Sequence, residues 1–136
     1  MPGGADLVCY WFEKARAQIE AGALLRAGLV ATNSIRQGAN REVLQRVIGS
    51  TRIFDAWPDE TWVNDGAAVR VSLVSFGHST QKPQLAAQPV TAIYADLKAV
   101  AEGAQSLDLT TAQPLPENAG ASFFGFCLAG PFTVEA

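Results

Sequence analysis

The chain has 136 residues, of which 49% are hydrophobic and 17% are charged. Ten Lys and Arg stand against thirteen Asp and Glu, and the whole acidic excess lies after residue 70. This length suits one domain with its own core, and the charge excludes a concentrated basic surface for autonomous, sequence-blind nucleic-acid binding. No apolar run reaches the roughly 18 residues of a membrane helix and no signal-peptide pattern opens the chain, so we expect a cytoplasmic location without membrane association.

The first predicted elements are a helix and a strand. The apolar face of the helix recurs every four positions, at Leu7, Trp11, Ala15 and Ile19, with Val8 and Phe12 beside them. This spacing predicts an amphipathic helix that Asp6 caps and that ends near Gly22. The run RAGLVAT at 26–32 is almost entirely apolar, which predicts a strand buried on both faces.

A second helix and two more strands follow. The helix is marked by apolar residues at Val43, Leu44, Val47 and Ile48 and is closed by Gly49. Strands are predicted at 51–57 and at 68–76, where apolar and polar residues alternate. The order helix, strand, helix, strand, strand predicts an α/β layer in which a right-handed crossover joins two parallel strands. Beyond Gly77 the composition predicts loops with short strands.

Few residues suggest chemistry by themselves. Cys9 and Cys127 form no metal-binding or disulfide pattern, which favours buried thiols. His78 is the single histidine and stands in a polar stretch, so we expect it in a solvated loop. Three acids between the last two strands, Asp59, Glu60 and Asp65, are more typical of a solvated turn than of an acid/base pair. The residues alone predict neither a catalytic group nor a metal site.

Three ordered blocks carry a family resemblance. They are GGADLVCYWFEKARAQI, RAGLVATNSIRQGANREVL and WPDETWVNDGAAVRVSLVSF. Together they resemble the large adenine-specific DNA methyltransferases of fused restriction-modification and phage-defence enzymes, where they come just after the catalytic Asn-Pro-Pro-Phe/Tyr motif. The later segments YADL, DLTTAQPLPENAGASFFG and GPF resemble the passage of that family towards its target-recognition region. The resemblance covers nearly the whole chain.

The resemblance implies a fold, namely a partial Rossmann-like methyltransferase half-sheet. The strand at 26–32 corresponds to the fifth strand of that sheet, and the strands at 51–57 and 68–76 to the sixth and seventh. In such sheets the seventh strand lies antiparallel between the fifth and the sixth. Residues 1–77 then form a methyltransferase-like α/β half-domain. Residues 78–136 form a loop-rich extension that resembles the start of the target-recognition region.

The loop TNSIRQGAN after the first strand is the first candidate site. It resembles the loop at the carboxyl end of the fifth methyltransferase strand, the edge at which α/β sheets bind ligands. The resemblance therefore implies that Asn33, Ser34, Arg36 and Asn40 lie at a DNA-facing cleft. An equally simple interpretation is that Asn33 and Ser34 only turn the chain and that Asn40 caps the next helix.

Trp62 is the second candidate. Enzymes of this family flip the target adenine out of the duplex and hold it partly by aromatic stacking. The stacking aromatic usually lies between the sixth and seventh strands, which is where WVNDGAAVRV places Trp62. Trp57 is a weaker candidate for this role. Alternatively, either tryptophan packs at the edge of the sheet.

The sequence lacks two motifs that the family needs for methyl transfer. It contains no Pro-Pro pair, and its first block corresponds to a part of the family that follows both the S-adenosylmethionine loop and the Asn-Pro-Pro motif. We therefore expect a free-standing methyltransferase fragment that binds no cofactor and is catalytically silent alone, derived from mobile DNA or forming half of a split enzyme. It would contact DNA only weakly or through a complementing methyltransferase chain.

Two other functions remain open. A half-sheet without its neighbouring strand exposes an apolar edge at GLVAT, which favours a homodimeric assembly module. A weaker hypothesis is a small-molecule binder with a pocket lined by Trp11, Trp57 and Trp62.

Overall fold

The computed structural model describes residues 3–64, 66–99, 115–118 and 120–121. Its elements in chain order are α1 (Val8–Glu20), β1 (Arg26–Thr32), a 3-10 helix (Asn33–Arg36), α2 (Gly38–Ser50), β2 (Arg52–Asn64), β3 (Ala67–Gly77), β4 (Gln84–Leu85), β5 (Gln88–Pro89) and a 3-10 turn (Pro116–Asn118). The predicted order of helices and strands is confirmed.

One mixed sheet with the strand order β1-β3-β2-β4-β5 forms the centre of the described fold. β3 pairs antiparallel with both β1 and β2, so β1 and β2 run parallel with β3 between them. The crossover through α2 joins the two parallel strands, and a hairpin then brings β3 back between them. The chain thus has an α/β fold that corresponds to a partial Rossmann-like methyltransferase half-sheet, as expected.

The two helices cover one face of the sheet. The Phe12 ring of α1 stacks on Phe76 of β3, with ring centroids 5.9 Å apart and an angle of 16° between the planes. The α2 residues Val43, Leu44 and Val47 are fully buried against the same core. Burial of apolar side chains of this size contributes roughly 1.5–3 kcal/mol each. The core therefore lies between the helical layer and one side of the sheet.

The buried face of α1 differs in part from the predicted one: Phe12 and Ile19 are buried as predicted, and Val8 and Ala15 pack against the core. Cys9, Phe12 and Ile19 are buried, whereas Leu7 and Trp11 are 81% and 52% exposed. A residue every four positions drifts around a helix of 3.6 residues per turn, so such a stripe does not stay on one face. The buried positions follow the true helical period.

The start of α1 also differs from its prediction. Leu7 stands at the N-cap position and makes no capping hydrogen bond through its side chain. Asp6 instead directs its carboxylate to Ser34 and Asn40. The prediction of Asp6 as a helix cap is therefore wrong, because its carboxylate accepts hydrogen bonds from side chains elsewhere in the fold.

β1 is an edge strand of the described sheet and is not buried on both faces. Its residues alternate in exposure, with Val30 47% exposed and Ala31 4% exposed. The helices cover one face only, and β3 occupies one side of the strand. An almost wholly apolar run thus predicted more burial than the described fold provides.

β2 and β3 are longer than predicted and form an arm. Thr32, the last residue of β1, pairs with Val71, while Trp62 pairs with Val69. The hairpin residues beyond the Thr32–Val71 pair, which we call the hairpin arm, therefore extend past the end of β1. Asp59 and Glu60 belong to β2, so the predicted turn is wrong for them, and Asp65 lies outside the described residues. Pro58 is tolerated because it falls within a register shift between Trp57 and Glu60.

Residues after Gly77 add to the same sheet and core. β4 pairs parallel with β2 at Asp55 and Ala56. Ile93, Ala95 and Leu97 are buried within the hydrophobic core. The division of the chain at residue 77 stays a prediction, since most of 100–136 lies outside the described part. Within that part, no helix combines the length and apolar content needed to cross a membrane.

Candidate functional site

The carboxyl ends of β1 and β2 define one edge of the sheet, which we call the carboxyl edge. The 3-10 helix, the N-terminus of α2 and the segment before α1 lie there, since each contacts the others through hydrogen bonds. α/β sheets bind their ligands at this edge because loops from several strands converge there. The four loop residues predicted for a DNA-facing cleft all occur in this region.

Asp59 of β2 is the centre of a first polar network. Its Oδ1 accepts hydrogen bonds from Asn33 Nδ2 at 2.8 Å and from Arg70 Nε at 2.5 Å. Arg36 Nη2 lies 3.7 Å from Asp59 Oδ2, and Arg36 Nε donates to Asn33 Oδ1. The carboxylate thus holds the 3-10 helix against the hairpin arm.

The two arginines fix the charge state of Asp59. The hydrogen bond from Arg70 holds the pKa of the Asp59 carboxyl below its usual value, and the positive charges of Arg70 and Arg36 add to this effect. The same hydrogen bond raises the pKa of Arg70. Asp59 therefore stays ionised at neutral pH, which makes it an anchor for two guanidinium groups and a poor proton donor.

Asn40 and Asp6 form a second network. Asp6 Oδ2 accepts from Asn40 Nδ2 at 2.7 Å and from Ser34 Oγ at 2.9 Å. The Asp6 backbone N–H donates to Asn40 Oδ1 at 2.8 Å. Asn40 is only 7% exposed, as expected for a buried amide with partners. It lies inside α2, whose N-cap position is Gln37, so the interpretation of Asn40 as the helix cap is wrong.

The second network has a consequence for the start of the chain. The segment before α1 is held by this network. Asp6 fastens this segment to Ser34 and Asn40 at the carboxyl edge. The start of the described chain therefore lies beside the 3-10 helix and α2.

The predicted cleft residues differ in the donors they leave free. Asn33 and Asn40 each use both ends of the side-chain amide within the protein. Ser34 Oγ donates to Asp6 and lies 2.7 Å from Thr32 Oγ1. These contacts support a role in building the loop, and contact with DNA stays a prediction for all four residues. Arg36 is the member with guanidinium donors left over for a ligand.

The two candidate stacking tryptophans lie on the face of the sheet that the helices leave uncovered. Trp57 pairs with Leu73 and Trp62 with Val69, positions that alternate with the helix-facing Phe76. Trp57 and Trp62 are 37% and 47% exposed. Trp62 lies on the hairpin arm, beyond the end of β1, whereas Trp57 lies within the body of the sheet. Base stacking by Trp62, or by Trp57, stays a prediction.

The predicted pocket of three tryptophans is wrong. Trp11 belongs to α1, where it meets Tyr10 edge to face with ring centroids 5.5 Å apart. Trp57 and Trp62 lie on the other side of the sheet, so the sheet separates them from Trp11. The sequence contains no signal that predicts on which side of the sheet each of these three tryptophans lies.

The remaining predicted residues lie as follows. Cys9 is buried, and its burial raises the pKa of its thiol. His78 is exposed, as predicted, and Cys127 lies outside the described residues. Among 3–64, 66–99 and the short described pieces after them, no three His, Cys, Asp or Glu side chains form a group suited to a metal ion.

Sequence reasoning missed the central roles of Asp59 and Arg70. The alternation at 68–76 predicts only that Arg70 lies in a strand, and Asp59 was expected in a solvated turn. Their contact, with Arg70 Nη2 2.7 Å from the Asp59 carbonyl oxygen, depends on the hairpin register. The alternation around Arg70 placed it in a strand but gave no partner for it.

No protein-family model and no curated protein sequence matches the chain. A solved structure is similar to it: the Type IIL restriction-modification enzyme MmeI in complex with DNA, at 24% sequence identity and a TM-score of 0.59. The likeness covers 74% of this chain and 16% of the MmeI chain. The chain thus shares its fold with a small part of a much larger enzyme.

Proposed function

We propose that the chain supplies the DNA-facing half of the catalytic core of an adenine-specific methyltransferase of the restriction-modification type. The observation that carries this proposal is the strand order β1-β3-β2, with antiparallel β3 inserted between two parallel strands. This insertion is the feature that the family resemblance implies for the fifth, seventh and sixth strands. The fold likeness to MmeI supports the same class.

In this proposal the hairpin arm and the 3-10 helix would face DNA. Trp62 would stack on a flipped adenine, because an aromatic face holds an extruded base whatever its edge contacts. Arg36 would contact the duplex at the carboxyl edge, held in place by Asn33 and Asp59. Ser34 and Asn40 would keep the segment before α1 beside this surface.

S-adenosylmethionine is the methyl donor that the family implies, and the described residues do not fit it. The sulfonium of that cofactor is a cation, whereas the carboxyl edge presents Arg36, Arg41 and Lys98 around one cavity. The nearby carboxylates Asp6 and Asp59 are already engaged by protein donors, and Asp96 in the cavity lining pairs with Lys98. We therefore propose that these residues do not carry out methyl transfer without the half that holds the cofactor, encoded in the same polypeptide or in a partner. DNA as the target implies a cytoplasmic location, and an origin in mobile DNA or a split enzyme fits this role.

Two titrations of the purified 136-residue chain test the proposal. Isothermal titration with S-adenosylmethionine is expected to show no binding. Fluorescence anisotropy with a labelled duplex that carries one unpaired adenine is expected to show weak binding at about 50 mM salt. Binding of one cofactor per chain would contradict the missing cofactor site. Failure to bind DNA at this salt concentration would contradict the DNA-facing role.

A homodimeric assembly module is the second candidate, and exposed apolar surface favours it. β1 offers one unpaired side as the edge of the described sheet, and exposed Val30, Trp57, Trp62 and Val69 share the uncovered face. Such edges pair readily with a second strand. Sedimentation equilibrium would then give a dimer mass for the natural chain and a monomer mass for Val30→Lys. A monomeric natural chain would remove this candidate.

A further inference from the structure

A cavity of about 370 Å³ opens at the carboxyl edge beside the 3-10 helix. Its walls come from the end of the 3-10 helix, the N-terminus of α2 and the segment after β5. The lining residues are Arg36, Gln37, Gly38, Arg41, Asp96 and Lys98. The lining therefore carries three cationic side chains and one carboxylate.

Arg41 is the residue that points to a ligand. Its Nε is shielded from solvent and has no hydrogen-bond partner within the described residues. A buried donor without an acceptor costs about 1–3 kcal/mol, and more when the group is charged. Arg41 lines the cavity, so a turn of its shielded guanidinium group towards an anion in this space would supply the acceptor that the described residues do not.

The other two cations can also serve a ligand. Lys98 Nζ lies 3.7 Å from Asp96 Oδ2, and the Lys98 side chain is 76% exposed. Among the described residues, Arg36 contacts only Asn33 and Asp59 through its guanidinium group, which leaves further donors for a ligand. A pair this long and this exposed contributes little, so Lys98 can turn towards an anion at little cost.

The start of α2 adds to the positive electrostatic potential of the cavity. α2 begins at Gly38, and no side chain caps it. Gly38 lines the cavity, so the uncapped first turn of α2, with its unpaired N–H groups and the positive end of the helix dipole, lies beside it. The glycine presents no Cβ, and one added there would meet nothing within 4 Å.

We propose that this cavity binds one phosphate of the DNA backbone. Two guanidinium groups and an ammonium suit the tetrahedral, charged oxygens of a phosphodiester. The inference rests on the proposed function, because the cavity shares Arg36 with the DNA-facing 3-10 helix. A phosphate held here would fix the position of the duplex on the carboxyl edge without reading its sequence.

Two substitutions in the cavity and one matched control test this site. Arg41→Gln and Lys98→Gln each remove one charge from the lining. Arg46→Gln removes one charge from an exposed position further along α2, outside the cavity. The affinity of each full-length protein for a labelled 20-base-pair duplex is measured by anisotropy between about 50 and 200 mM salt.

The two cavity variants should each bind DNA about 3- to 10-fold more weakly at low salt. Each should also lower the slope of log K against log salt by about one unit, as expected for the loss of one phosphate contact. Arg46→Gln should match the natural chain. Circular dichroism checks folding, and Lys98→Gln carries the test if Arg41→Gln does not fold.

The outcomes separate this site from the proposed function. Unchanged affinity and slope in both cavity variants, with DNA bound by the natural chain, would overturn the site and leave the proposed function standing. Failure of the natural chain to bind DNA would contradict the proposed function first. Amide NMR with inorganic phosphate then tests the cavity. Shifts at Gly38 and Arg41 without DNA binding would show an anion site and overturn its assignment to DNA.

Discussion

Asp59 and Arg70 bind each other across the β2–β3 hairpin although they are not opposite each other in its register. Thr61 is the residue opposite Arg70, and Arg70 reaches along the strand so that Nε lies 2.5 Å from Asp59 Oδ1 and Nη2 lies 2.7 Å from Asp59 O. Asp59 falls within the register shift between Trp57 and Glu60, and Arg70 reaches it as a diagonal neighbour across the hairpin. This pair joins the hairpin arm to the 3-10 helix.

Arg70→Gln should raise the pKa of Asp59 towards the ordinary value of an aspartate. Because the pKa in the folded protein is depressed, ionised Asp59 stabilises the fold above the ordinary carboxyl pKa, and this contribution is lost as pH falls through the depressed value. Arg70→Gln should therefore show a smaller loss of stability in acid. Carboxyl NMR titration measures the pKa, and thermal unfolding between about pH 2 and 7 measures the stability. An unchanged Asp59 pKa would refute the pairing, and Arg46→Gln serves as the control.

Trp62→Ala should weaken binding of the duplex with an unpaired adenine by about 5- to 150-fold, the equivalent of one stacked base. Trp57→Ala should have a smaller effect, because Trp57 lies beside Leu73 in the body of the sheet. Anisotropy measures both affinities, and quenching of tryptophan fluorescence in each variant reports which ring meets the base. Equal losses for the two variants would count against Trp62 as the stacking residue.

Asn40→Ala should lower the free energy of unfolding by about 1–3 kcal/mol, because it removes two hydrogen bonds to Asp6, one of them to its carboxylate. Ser34→Ala removes one hydrogen bond to the same carboxylate from an exposed side chain, so its effect should be smaller. Urea denaturation gives both values. If Ser34→Ala proved the more harmful change, the proposed role of Asn40 as the main tie would be wrong.

Gly77→Ala should destabilise the fold by several kcal/mol or prevent folding. Gly77 has φ +125°, and an added Cβ would lie 2.5 Å from the Leu25 carbonyl oxygen and 2.9 Å from Arg26 Cα. Both obstacles are backbone atoms, which cannot turn aside. Gly49→Ala in α2 meets nothing within 4 Å and should stabilise by roughly 0.5–1 kcal/mol. Circular dichroism with thermal unfolding compares them, and equal behaviour would contradict the close approach at Gly77.

The order of helices and strands could be predicted from periodicity, because local patterning reflects which residues meet a core. The pairing of the strands could not, since nothing in the alternation of residues 68–76 says which strands lie on either side. The insertion of β3 between β1 and β2 came from the family resemblance. Burial of β1 was overestimated for a related reason, because an apolar strand looks the same in the sequence at the edge of a sheet and at its centre.

The candidate site was predictable where its residues lie close together in the sequence. Asn33, Ser34, Arg36 and Asn40 follow one another after β1, so the boundary between strand and loop was enough to group them. Their partners come from distant parts of the chain, with Asp6 34 residues before Asn40 and Asp59 26 residues after Asn33. Only the folded arrangement brings these carboxylates to the loop.

The strand order also determines how the sheet can assemble. β1 and β2 are not neighbours in the sheet, and each pairs with β3, which comes last of the three in the chain. The chain must therefore close the long loop from β1 to β3 before the parallel pair is stabilised, which slows folding relative to a sheet built from neighbours in sequence. During synthesis, residues 26–64 remain without their central strand until Gly77 has left the ribosome. The β1-β3-β2 order therefore forms only when the whole segment from β1 to β3 is present.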